Sequence, residues 1–113
     1  MNREIEHSIP EKNKGEIQAA LEAKETFALY LYTPFCGTCK IGEKMLQVVY
    51  AMNPNLPLFK GDLNFLPQLA QEWEVMSVPC LAIIKEGNLV NKIYALGSVV
   101  DLANRLQGLE EGK

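Results

Sequence analysis

The run Phe27-Ala28-Leu29-Tyr30-Leu31-Tyr32 ends at Thr33-Pro34, and Cys36-Gly37-Thr38-Cys39 follows at once. A six-residue stretch that is apolar on both faces fits a central strand of a covered sheet. Beyond the thiols, Ile41, Met45, Val48, Val49 and Met52 recur at helical spacing. The two cysteines therefore stand where a buried strand hands over to a helix. The first turn of a helix carries unpaired backbone N–H groups and the positive end of the helix dipole, both of which stabilise an anion. For Cys36 that anion is a thiolate, the nucleophilic form of cysteine. Cys39 lies one turn further in, close enough to reach back and close a small disulfide ring. Cys36 is thus the candidate attacking sulfur and Cys39 the candidate resolving one.

The remaining composition sets outer limits. At 113 residues the chain suits one domain over 1–113, with a core over about 5–106 and a tail over 108–113. A hydrophobic fraction of 48% is that of a globular protein. A net charge of −3 argues against a nucleic-acid partner or an anionic membrane surface. The segment Met1 to Glu16 is charged and lacks the apolar centre of a secretory signal, and no run approaches the length of a bilayer span. A monomer in the cytoplasm is the expectation. In that reducing setting a close cysteine pair is catalytic or metal-binding sooner than structural, and three cysteines make no disulfide scaffold.

Ile5, His7 and Ile9 alternate with polar residues and suggest a short edge strand, on which His7 is solvated. Ile17, Ala20 and Leu21 mark a helix. Asn53-Pro54-Asn55 is a turn, and Leu56-Pro57-Leu58-Phe59 is a short strand whose proline belongs at its start or on an edge. Leu66, Leu69, Ala70 and Trp73 form a helical stripe that reads as core. Cys80 to Ile84 and Leu89 to Leu96 are strands joined at Glu86-Gly87-Asn88, and Val99, Leu102, Ala103 and Leu106 mark a last helix. The order βαβαβαββα implies a sheet with helices on both faces.

That order, with a Cys-x-x-Cys opening the second helix, resembles the thioredoxin family from about Ile5 to Leu106. Tyr32-Thr33-Pro34-Phe35-Cys36-Gly37-Thr38-Cys39-Lys40 is similar to the family's active-site segment. Val78-Pro79 stands at a strand start, as the family's cis-proline does, and Lys60 lies nineteen positions before Pro79, the place of the family's buried lysine. The resemblance implies an α/β thioredoxin fold with a central mixed five-stranded sheet flanked by four helices. It implies catalytic roles for Cys36 and Cys39, substrate contact at Phe35, Val78 and Pro79, and supporting roles for Gly37, Thr38, Tyr30 and Lys60. It further implies disulfide-containing protein substrates, recycling by a thiol reductase or a low-molecular-weight thiol, and no metal or organic cofactor.

Four positions depart from the family pattern. Thr38 replaces a proline, Phe35 a tryptophan and Lys44 a kinking proline, while Tyr30 replaces the buried aspartate assigned to proton transfer with the second cysteine. Tyr30 reads as a core aromatic, since a phenol with a reference pKa near 10 is a poor base at neutral pH. Lys60 then pairs with local polar groups, stabilises a thiolate, or serves as a base. Cys80 reads as a small buried apolar residue, although its place beside Pro79 keeps a third reactive thiol open. Three functions compete: thiol–disulfide exchange; metal or iron–sulfur binding by Cys36, Cys39 and Cys80; and a docking module that keeps the fold without turnover.

Overall fold

The structure, a computed structural model, describes residues 8–111. Strands β1 (Phe27–Tyr32), β2 (Leu58–Asp62), β3 (Cys80–Lys85) and β4 (Asn88–Ile93) form one sheet in the order β2-β1-β3-β4. β1 runs parallel to β2 and antiparallel to β3, and β4 is antiparallel to β3, so the sheet is mixed. The α-helices are α1 (Lys14–Glu22), α2 (Gly37–Met52), α3 (Pro67–Glu72) and α4 (Val99–Glu111), with a 3₁₀ turn at Leu63–Phe65.

Because side chains alternate along a strand, the unbroken apolar run of β1 feeds two cores at once. Phe27, Leu29 and Leu31 pack on one face with Ile17 of α1 and with Leu66 and Leu69 at α3. Ala28 and Tyr30 pack on the other with Leu46 and Val49 of α2 and with Leu102, Leu106 and Leu109 of α4. The β3–β4 hairpin turns through Glu86 and Gly87, both at positive φ, as a two-residue hairpin loop requires. A side chain at Gly87 would also meet the Leu21 carbonyl oxygen at 2.7 Å.

Three boundaries differ from the sequence reading. The first is β4, which ends at Ile93 instead of running on to Leu96. The expected fifth strand around Ile5 and His7 lies outside the described residues. Among those described, an isolated parallel bridge from Glu11 to Lys60 runs along the free edge of β2. β2 itself begins at Leu58 and extends to Asp62, past the end of its apolar residues. Pro57 stays at the strand's mouth, where its carbonyl accepts from the Ala28 N–H at 2.9 Å. The third difference is at the C-terminal end, where α4 continues through Gly108 to Glu111 instead of giving way to a tail from position 108. The reason is Leu109, which repeats the apolar stripe of Leu102 and Leu106 and is only 4% exposed.

Candidate active site

Cys36 is the N-cap of α2, with extended backbone (φ −106°, ψ 110°), and its Sγ accepts a hydrogen bond from the Cys39 backbone N–H at 3.1 Å. Thr38 Oγ1 lies 3.4 Å from the same sulfur. The two donors converge on Cys36 because an N-cap side chain faces the unpaired N–H groups of the first turn. Cys36 and Cys39 are joined by a disulfide, with their Cα atoms 5.2 Å apart, well inside the range that a disulfide spans. Cys36 is half-buried, whereas Cys39 is 2% exposed. An approaching molecule therefore meets Cys36 first.

Beneath the helix, fully buried Tyr30 donates its hydroxyl to the Cys39 backbone carbonyl at 2.7 Å. This bond ties the first turn of α2 to the central strand. Gly42 makes room for it, because a Cβ there would overlap the Tyr30 hydroxyl and lie 2.7 Å from Leu96 Cδ1. Burial, assisted by the nearby Glu43 charge, raises the Tyr30 phenol above its ordinary value, so it stays protonated. Lys60 is the register partner of Tyr30 across β1 and β2 and so points to the same face. Its Nζ meets Glu43 Oε2 of α2 at 2.7 Å, both side chains being partly buried. The ammonium also sits 5.7 Å from the Tyr32 ring centroid, a cation–π distance. Tyr32 donates to the Glu11 carboxylate. Burial, that bond and the surrounding carboxylates of Glu11, Asp62 and Glu43 raise the Tyr32 phenol too.

The Val78–Pro79 peptide bond is cis. Cys80 pairs with Leu31 in the β1–β3 ladder, so Pro79 falls one step further, beside Tyr32 and the turn that carries the cysteines. Phe35 is 99% exposed and Met76 85% exposed; together with half-buried Val78 and Pro79 they supply apolar surface at this end of the sheet. The segment leading to Pro79 is held from the far side of the sheet. Lys92 Nζ of β4 donates to the carbonyls of Trp73 and Glu74 at 2.8 and 3.0 Å, and Tyr94 accepts from the Met76 N–H at 3.1 Å.

Cys80 is fully buried in the core lined by Leu31, Ala82 and Ile84, on the opposite face of the sheet from Tyr30 and α2. Burial pushes its thiol up, against an opposing hydrogen bond with Tyr94 and the Lys92 charge. A site sharing Cys36, Cys39 and Cys80 does not fit this arrangement, because the sheet stands between Cys80 and the pair. Among the described residues no three His, Cys, Asp or Glu side chains gather as metal ligands. The structure thus brings Cys36, Cys39, Thr38, Tyr30 and Lys60 together and sets Phe35, Val78 and Pro79 at the same end of the sheet. It adds Glu43 and Gly42, which sequence reading missed. The spacing of Glu43 from Cys39, four residues along a helix, was the available signal.

Residues 8–107 match the profile of the family described as Thioredoxin. The thioredoxin-like protein YusE of Bacillus subtilis (strain 168) is 43% identical over 75 residues, covering 66% of this chain and 71% of its own. A thioredoxin H-type of Picea mariana is 28% identical over 80 residues, covering 71% of this chain and 64% of its own. Among solved structures, a mutant thioredoxin of Halobacterium salinarum NRC-1 superimposes with a TM-score of 0.74 at 18% identity, over 90% of this chain and 89% of that one. That last likeness is one of fold.

Proposed function

This chain belongs to the thioredoxin family, and from that premise we propose that it reduces protein disulfides by cycling Cys36 and Cys39 between dithiol and disulfide. The observation that carries this reading is the Cys36–Cys39 disulfide at the N-terminus of α2, with the Cys39 N–H directed at Cys36 Sγ. The same donor, with the Thr38 hydroxyl, suits a thiolate on Cys36 once the disulfide is open. In the proposed cycle that thiolate attacks one sulfur of a substrate disulfide. A bond forms between Cys36 and that sulfur, and the other substrate sulfur leaves with the electron pair. Cys39 then loses its proton and attacks Cys36 Sγ, forming the intramolecular disulfide and releasing the second substrate sulfur as a thiolate. Two electrons pass to the substrate. A thiol reductase or a low-molecular-weight thiol returns them in a monomeric, cytoplasmic cycle that needs no cofactor.

Phe35, Val78 and Pro79 form the proposed docking surface, with the backbone beside Pro79 pairing with an extended substrate segment. Exposed Phe35 has the area of an aromatic anchor and no intramolecular use for it. Trapping separates the roles of the three thiols. Cys39→Ser should accumulate a mixed disulfide on Cys36, Cys36→Ser should accumulate none and lose exchange activity, and Cys80→Ser should turn over like the parent. Mass spectrometry that found the adducts on Cys80, or no insulin-disulfide reduction by the parent protein, would refute the proposal.

A further inference from the structure

The resolving step carries a demand that Cys36 does not face. Cys39 attacks as a thiolate, yet its side chain is only 2% exposed and has little water to take its proton. Tyr30 spends its hydroxyl on the Cys39 carbonyl and is held protonated by burial. Tyr32 is committed to Glu11. Asp62 accepts from the Asn64 N–H at the end of β2. Lys40 and Lys44, on α2 itself, are exposed.

Glu43 remains. It is the one acidic residue of α2 and stands four positions after Cys39. Residues so spaced share a helix face with Cβ atoms about 5–6 Å apart. Helical side chains lean towards the helix N-terminus, so the Glu43 carboxylate covers the turn that holds Cys39. Lys60 fixes it there at 2.7 Å, on the sheet side of the helix.

We propose that Glu43, oriented by Lys60, is the proton acceptor for Cys39 in the resolving step. The thiol proton passes to the Glu43 carboxylate, directly or through one water, as Cys39 Sγ bonds to Cys36 Sγ and the substrate sulfur leaves with the electron pair. Glu43 then returns the proton to that departing thiolate or to solvent. Lys60 is a positioning residue: its ion pair holds the carboxylate on the sheet side of the helix.

This inference rests on the exchange cycle proposed above, so its test reads the two half-reactions separately. Reduced protein is mixed with an excess of a nitrobenzoate aryl disulfide. The first aryl thiolate released reports attack by Cys36, and the second reports resolution by Cys39. Glu43→Gln should leave the first release within about twofold and slow the second about a hundredfold near pH 7, the low end of what general-base catalysis supplies (about 10²–10⁴-fold). The slowed phase should accelerate with rising pH and with added imidazole or acetate, as a missing base predicts. Lys60→Met should slow the second release and change its pH profile while sparing the first. Wild-type second release in Glu43→Gln at every pH, or equal slowing of both phases, would overturn the assignment and leave the exchange cycle standing. Absence of any second release from the wild type would overturn both.

Discussion

Gly42 sits in the middle of a helix, where alanine would normally be preferred by about 1 kcal/mol. The structure predicts the opposite sign here. A Cβ at position 42 would overlap the Tyr30 hydroxyl and approach Leu96 Cδ1 to 2.7 Å. The leucine methyl ends a flexible side chain and can turn aside, but the hydroxyl is pinned by its 2.7 Å bond to the Cys39 carbonyl. Overpacking of this kind costs about 1–3 kcal/mol, and displacing the hydroxyl forfeits a buried hydrogen bond worth about 1 kcal/mol. After the helix-propensity gain, Gly42→Ala should lose about 1–3 kcal/mol, or roughly 4–12 °C in Tm for a chain of this size. Tyr30→Phe removes the obstructing atom and leaves the ring Cζ at 3.3 Å from the new methyl, so in that background Gly42→Ala should be close to neutral. Urea unfolding of the four oxidised proteins, compared at equal m-values, then yields a coupling of at least about 1 kcal/mol, beyond the additivity scatter of about 0.3–0.5 kcal/mol. An additive cycle, or a Gly42→Ala protein more stable than the parent, would refute the Tyr30–Cys39 tether.

Two further outcomes can be checked without kinetics. Thr38 sets its hydroxyl 3.4 Å from Cys36 Sγ and, unlike a proline, keeps a backbone N–H in the first turn of the helix, which favours the thiolate and so the reduced protein. The reduction potential should therefore be less negative than thioredoxin's (roughly −270 mV), and Thr38→Pro should lower it by about 20–40 mV, at about 1.4 kcal/mol per 30 mV; glutathione-buffer equilibration showing no change would remove Thr38 from the argument. Tyr30 and Tyr32 both have folded-state pKa values raised above 10.0, mainly by burial. The stability they contribute is complete below about pH 10 and is lost as pH climbs towards their folded values. Ultraviolet titration should show two of the four tyrosines ionising only with unfolding, and four phenols ionising reversibly near 10 would contradict their burial.

Local signals carried most of the architecture. The apolar run of β1 and the two-residue turn at Glu86-Gly87 are each legible from residues within a few positions of one another. α2 is legible as a helix, but of its expected stripe only Val49 is fully buried: Ile41, Val48 and Met52 are exposed, and the face turned to the sheet is that of Cys39, Gly42, Leu46 and Val49. β2 was harder because its apolar residues stop at Phe59. Lys60 is turned to Glu43, Gly61 is packed among Leu66, Ile17 and Leu29, and Asp62 caps the following 3₁₀ turn. A strand whose later positions serve an ion pair and a cap has no hydrophobic alternation to display. The site divides in the same way. Cys36, Cys39 and Thr38 are adjacent in sequence and their geometry follows from the helix start. The meeting of Glu43 with Lys60, and of Tyr30 with the Cys39 carbonyl, depends on strand register and on how α2 lies across the sheet, neither of which any short stretch encodes. Leu109 was lost to view behind Gly108, whose position on the exposed face of α4 gives no hint that the helix continues.

The hold of Lys92 and Tyr94 on the segment from Trp73 to Met76 bears on how such a chain tolerates change over generations. Lys92 sits on the edge strand remote from the thiols, and Tyr94 just beyond that strand's end. Both side chains are half-buried, outside the fully buried core. Each nonetheless satisfies a backbone group in the stretch that sets where Val78 and Pro79 stand. Two bare carbonyls at the end of α3 would have to find another donor before residue 92 could vary, and residue 94 could vary only alongside the backbone it receives. Divergence in this fold is therefore expected to move positions 92 and 94 in step with the length and conformation of the 73–76 segment, while neighbouring Val90 and Asn91, exposed on the same strand, vary on their own.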